Sequence, residues 1–252
     1  MKAWSKITSL TAAGCLLIAA TAATAAEITV VASGGPLPDV MGTLMPMFEK
    51  ATGHKVTISF KGQPAIATDV KQGGVDLIVT NTEVLDELAK GGDVAANSTT
   101  LLMISKVGLA VKAGAPKPDI STPDKLKAAL LAAKTVGYSQ GASGQHFLTV
   151  VQKFGIADAI KAKAVITQGR PVGAAIASGE AEIGVQQVAE LLPVPGVDFV
   201  AVMPGELQKQ IPYSAAVPVK AKEAEAARAL LKFLGSEAAV SIYKAKGMNA
   251  PG

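Results

Sequence analysis

The chain has 252 residues, 49% of them hydrophobic, 17% charged and 4% aromatic, and 24 Lys and Arg against 20 Asp and Glu leave a net charge of +4. That length accommodates one large α/β unit or two smaller lobes, each with a core of its own, and the near balance of charge excludes an electrostatic nucleic-acid binder. Abundant apolar residues with low net charge exclude a disordered chain as well.

Residues 1–26 read as a secretory signal. Lys2 and Lys6 form a charged start, an uncharged run rich in Ala and Leu follows, and Ala23-Thr24-Ala25-Ala26 offers small residues for a signal peptidase. Without the two lysines the net charge falls from +4 to +2. Cys15 and Trp4, the only residues of their kinds, leave with the signal. The mature chain then forms no disulfide and rests on core packing.

Beyond the signal, strand patterns alternate with helix patterns. Residues 28–32 form a short apolar strand, and Leu37, Val40, Met41, Leu44 and Phe48 recur at helical spacing until Gly53. Alternation over 56–60 predicts a strand, 63–72 a short helix, and 76–79 a buried strand. A helix follows with Asn81 as its N-cap. Residues 101–111 read as a long strand broken at Ser105-Lys106, and Thr122-Pro123 opens the next helix. Further strands are expected at 136–138, 164–166, 183–185, 199–203 and 213–219, with helices at 172–178, 222–234 and 236–246. Such alternation implies parallel-rich sheets with helices on both faces.

Open parallel sheets bind ligands beyond the carboxyl ends of their strands. Three strand-to-helix joints there are rich in small residues: Ser33-Gly34-Gly35, the run from Ser139 to Gly144, and Gly169-Arg170-Pro171-Val172-Gly173. Hydroxyls and unsatisfied helix N-terminal amides suit an anion. Other chemistries find no support. Two histidines and no mature cysteine give no metal-ligand spacing, and neither a phosphate-binding Gly-x4-Gly-Lys loop nor a Gly-x-Ser-x-Gly nucleophile elbow occurs. No cofactor is expected.

The runs Phe48 to Val56, Val111 to Ile120, Tyr138-Ser-Gln-Gly-Ala-Ser-Gly144 and Gly179 to Gly184 resemble the periplasmic molybdate-binding family of ABC transporters, over essentially the whole mature chain. The resemblance implies a type II periplasmic binding fold: two α/β lobes, 27–105 with 213–252 and 106–212, joined by two hinge crossings and holding the ligand between them. It implies a monomer in the periplasm, a small anionic ligand, a transporter permease as partner and no role for nucleic acid. Its site residues map onto Ser33 with Gly34 and Gly35, onto Ser143 and Gly144 beside Ser139, and onto the Val172 amide. Where the family has a second serine this chain has Lys61-Gly62-Gln63-Pro64, and where it has a closing tyrosine this chain has Gln186-Gln187. An amide pair facing Gln63 suits a ligand needing more donors and acceptors, such as a small carboxylate.

Aconitate isomerase of bacterial periplasms resembles the same family, with a comparable Ser-Gly-Gly joint and a Gln-Gln pair. It performs an allylic proton shift, which needs rigidly held carboxylates and a base near a C–H bond. His146, early in the helix after Ser143, is the candidate base in that reading. Arg170 is a candidate bidentate contact for a carboxylate, and Tyr213, at the second crossing, a candidate cleft-edge residue.

Overall fold

The computed structural model describes residues 25–95 and 98–251; the expected signal at 1–26, with Trp4 and Cys15, lies outside them but for its last two residues. The first half of the chain runs Glu27–Ser33 (β1), Leu37–Thr52 (α1), Lys55–Lys61 (β2), Gln63–Gln72 (α2), Leu77–Asn81 (β3), Thr82–Lys90 (α3), Thr100–Lys112 (β4) and Pro123–Ala132 (α4). It continues with Val136–Ser139 (β5), Ala142–Lys153 (α5), Ala157–Lys161 (α6), Ala164–Thr167 (β6), Val172–Ser178 (α7), Ile183–Gln187 (β7) and Val188–Leu191 (α8). Val197–Val202 (β8), a 3-10 turn at Gly205–Leu207, Gln210–Ala216 (β9), Ala224–Leu234 (α9) and Glu237–Ala245 (α10) complete it.

The strands follow the order β2-β1-β3-β9-β4-β7-β5-β6, with β8 added against β4. Parallel pairing holds inside each half, β1 with β2 and β3, and β5 with β6 and β7. The pairs β3–β9, β4–β9, β4–β7 and β4–β8 are antiparallel, so the sheet is more mixed than strand–helix alternation suggests. The cause is β4, whose residues 100–106 pair with β9 and whose residues 107–111 pair with β7. It leaves one half of the sheet and enters the other without stopping. The break expected at Ser105-Lys106 is therefore absent: Ser105 stays in register with Ile211 and Lys106 with Gln210.

Local sequence explains most boundaries. Gly53 ends α1 with φ of 77° and donates its N–H to Glu49 O at 2.8 Å, a left-handed stop. The Thr122 hydroxyl accepts from Lys125 N–H at the start of α4, where Pro123 needs no donor, and Ser236 accepts from Ala239 N–H at α10. Asn81 occupies the position before α3 but its side chain makes no capping bond there. Helix α9 begins at Ala224, two residues after the expected start.

Successive strand residues face opposite layers. Val30, Ala32, Leu77 and Val79 join α1 in the main core, while Val31 and Ile78 pack in the opposite layer with Ile66 and Val70 of α2 and Leu85 and Leu88 of α3. One polar device ties distant segments together: the buried Asp76 carboxylate accepts from the main-chain N–H of Thr29, Lys222 and Glu223, each at 2.9 Å.

Candidate functional site

The carboxyl ends of β1, β5, β6 and β7 open onto one cleft of about 1180 Å³ between the two halves of the sheet. The three joints singled out in the sequence all reach it. Ser33, Gly34 and Gly35 come from the β1 joint, Ser139 from the end of β5 and Ser143 from the start of α5, and Arg170 from the loop before α7. Gln63 faces it from α2, Gln186 and Gln187 from β7, and Tyr213 from β9.

Three expected residues stand outside the lining. Val172 is buried, and its N–H, expected to meet a ligand, donates to Gln186 Oε1 at 2.8 Å. Gly144 is a packing requirement: a Cβ there would lie 1.6 Å from the Ser139 carbonyl oxygen, so only glycine lets α5 press against the end of β5. His146 lies away from the cleft on α5, where Nε2–H donates to the Leu207 carbonyl at 2.7 Å. Because a carbonyl can only accept, that bond fixes the proton on Nε2 and turns the ring toward Leu207, outside the lining of the cleft. Arg170 lines the cleft, but both its terminal nitrogens bond the Glu180 carboxylate.

The cleft also contains groups that motif reading passed over. Glu190, the third residue of α8, is only partly exposed, and loss of water around it raises its carboxyl pKa from 4.5 to about 7. Bonds from Gln187 and Gln186 oppose that rise and fall short of cancelling it. Gln186 Nε2–H donates to Glu190 Oε1 at 2.7 Å, and Tyr213 O–H donates to Gln187 Oε1 at 3.0 Å. Burial pushes the Tyr213 phenol well above its ordinary range, so it stays a donor at any physiological pH. Gly35, at φ of 72°, roofs this cluster: a Cβ on it would lie 3.1 Å from Tyr213 Oη, 3.2 Å from Gln187 Nε2 and 3.9 Å from Glu190 Oε2. The β1 joint thus passes directly over a carboxyl carried by the other half of the sheet.

Two hydroxyls in the lining are buried with no hydrogen-bond partner, Ser33 Oγ at the end of β1 and Thr167 Oγ1 at the end of β6. Orphaned buried hydroxyls are costly unless something fills them, and these two belong to opposite walls. Lys209, partly buried just before β9, has no ion pair among the described residues, whereas Lys61 is held by Asp69 at 2.6 Å. The N-terminus of α5, twelve residues long, adds unpaired amides at Ala142 and Ser143. The cleft therefore offers donors on both walls, a cation at its edge and, apart from the exposed Glu83, a single carboxyl, tuned to take or give a proton near neutrality.

A sequence signal for Glu190 did exist. It is the only acid in the run Val188-Ala189-Glu190-Leu191-Leu192, and it follows the Gln-Gln pair by three residues, which in a helical turn places it back against that pair.

The chain is 38% identical over 251 residues to an aconitate isomerase of a Pseudomonas species, covering 94% of each chain. It is 30% identical to a molybdate-binding protein of Azotobacter vinelandii, over 90% of this chain and 92% of that one. Among solved structures, the periplasmic molybdate-binding protein of Azotobacter vinelandii superposes with a TM-score of 0.70 at 20% identity, over 90% of this chain and all of that one. The fold is therefore that of the type II periplasmic binding proteins. A family model described as bacterial extracellular solute-binding protein matches residues 28–249, and the chain belongs to that family.

Proposed function

We propose that the protein, exported to the periplasm, isomerises a small polycarboxylate of the aconitate type held in the cleft. The observation that carries this reading is Glu190: a carrier needs donors for its anion, whereas a half-buried carboxyl with a pKa of about 7 among those donors opposes anion binding unless it has chemistry to do. The relationship to an aconitate isomerase supports the same choice.

The reaction balances with one proton. Ionised Glu190 takes a proton from the ligand's methylene carbon, and the C–H electron pair moves into the carbon skeleton. The double bond shifts by one carbon through an enolate whose charge rests on carboxylate oxygen. Protonated Glu190 then returns the proton to the former vinylic carbon. The conformation in which the methylene carboxylate is held decides whether the new double bond is cis or trans. A base working near pH 7 is best matched by a pKa close to that value. The α5 amides, the hydroxyls of Ser33 and Thr167 and the ammonium of Lys209 are the groups able to hold carboxylates and the enolate charge.

A second reading, delivery of a small oxyanion or carboxylate to a transporter permease, is favoured by the α5 amides and Ser33, which would hold an anion with no help from a base. One experiment separates the two. The purified protein is incubated with cis-aconitate without added metal or nucleotide, and the acids are resolved by chromatography while binding is followed by thermal shift. Interconversion supports the isomerase; a thermal shift with the acid returned unchanged supports the carrier.

A further inference from the structure

The paired glutamines have a directionality that binding alone does not require. Gln186 and Gln187 close β7, and Gln187 is also the residue before α8, so the turn of the chain brings both amides back to Glu190, four and three residues on. An amide has an accepting end and a donating end, and what meets the first fixes where the second points. The accepting end of Gln186 takes the Val172 main-chain N–H at 2.8 Å, a donor that cannot rotate, and its NH2 then meets Glu190 Oε1 at 2.7 Å. The accepting end of Gln187 takes the Tyr213 O–H at 3.0 Å. The Asn81 side chain favours negative charge on the Tyr213 oxygen. One chain of donors runs from Val172 through Gln186 to the carboxyl, and Tyr213 orients the Gln187 amide, which also favours the ionised form of Glu190.

We infer that Gln186 and Gln187 are positioning residues that clamp the inner side of the Glu190 carboxyl with donors, so that its proton can be carried only on the edge facing the cleft. Both amide ends aimed at the carboxyl are donors, and neither can receive a carboxyl proton. The proton, when present, must lie toward the cleft, where Gly35 crosses nearest to Oε2. A proton so placed exchanges with a bound ligand and not with the protein. The inference rests on the reading of Glu190 as the base.

The other charged groups of the cleft are Lys61, Glu83, Arg170 and Lys209. Lys61 and Arg170 are paired with Asp69 and Glu180, and the shift at Glu190 arises from burial and from the two glutamines. Removing a clamp donor should therefore move the Glu190 titration upward, whereas loosening the fold and admitting water should move it downward.

The test uses Gln187→Met and Tyr213→Phe. The second keeps the ring and deletes only the hydroxyl that orients Gln187, so it stands if the first fails to fold. The Glu190 titration is read by carboxyl carbon-13 NMR, which needs no turnover, and kcat and KM for aconitate are measured across pH. The expected result is a Glu190 midpoint raised by roughly one pH unit in Gln187→Met, with the acid limb of the rate profile moving by the same amount. For Tyr213→Phe we expect kcat to fall about tenfold or more while KM changes little. An unmoved or lowered midpoint, or a loss confined to KM, would overturn the clamp. If the parent protein turns nothing over but the midpoint rises in Gln187→Met, the clamp stands and the isomerase reading falls.

Discussion

Replacing Glu190 with Gln should change how stability depends on pH by an amount that burial in the cleft sets. In the folded protein the carboxyl titrates at about 7 instead of 4.5. Between those values the native state keeps a proton that the unfolded chain has released. A raised carboxyl pKa therefore costs stability: nothing below the unfolded value, progressively more as pH rises, and the full amount above about pH 7. At about 1.4 kcal/mol for each tenfold change in proton affinity, the gap corresponds to roughly 3 kcal/mol. Gln has no such proton to lose. Variant stability minus parent stability should climb by roughly 3 kcal/mol from about pH 4 to about pH 8. Any fixed offset from altered hydrogen bonds to Gln186 cancels from that climb. Urea unfolding across the range measures it, and in melting temperature it corresponds to roughly 6–12 °C for a chain of this size. A difference that stays flat with pH would refute the burial of an ionisable Glu190 and remove the reason for giving it a proton to move.

Three other substitutions separate binding from folding. Thr167→Val keeps the shape and deletes a buried hydroxyl that has no protein partner; stability should hold or rise by up to about 1 kcal/mol, while calorimetric affinity for trans-aconitate drops roughly tenfold, and unchanged affinity would remove Thr167 from the site. Gly144→Ala sets a methyl 1.6 Å from the Ser139 carbonyl oxygen, so unfolding experiments should show a loss of about 3 kcal/mol or more; parental stability would mean that α5 can shift freely. Asp76→Ala removes a buried acceptor that ties three part-buried main-chain donors together and should cost about 2 kcal/mol, with affinity of the folded fraction unaltered.

The site was legible in the sequence wherever it depends on strand ends. Ser33, Ser139 to Ser143 and the Gly169 loop were found as separate joints, and parallel pairing of β1, β5 and β6 with their neighbours is what carries them to one cleft. The Gln-Gln pair stood out as a departure from the molybdate-binding pattern, but its role could not be read without Glu190, which sits on a helix of four residues too short to give a periodic signal. His146, a candidate base only in the isomerase reading, is close to an anion-binding joint in sequence but does not line the cleft. It lies four residues beyond Ala142, on a side chain that the Leu207 carbonyl holds elsewhere. The strand pattern at 101–111 is interrupted at Ser105-Lys106 because polar residues in mid-strand usually mark an end, whereas β4 runs straight through them as it crosses between the halves, where the family resemblance also places a hinge. Thr167 gave no signal at all, since an orphaned hydroxyl becomes visible only once its neighbours are in place.

Proton transfer by Glu190 is tested most directly by following cis-aconitate by NMR with the parent protein and with Glu190→Gln, each saturated with ligand. The parent should convert it to the trans isomer. The variant, which cannot accept a proton, should bind within about threefold of the parent yet convert at least about a hundredfold more slowly. Conversion by the variant at the parental rate would contradict the assignment of the base, and a parent that binds aconitate and returns it unchanged would contradict the isomerase.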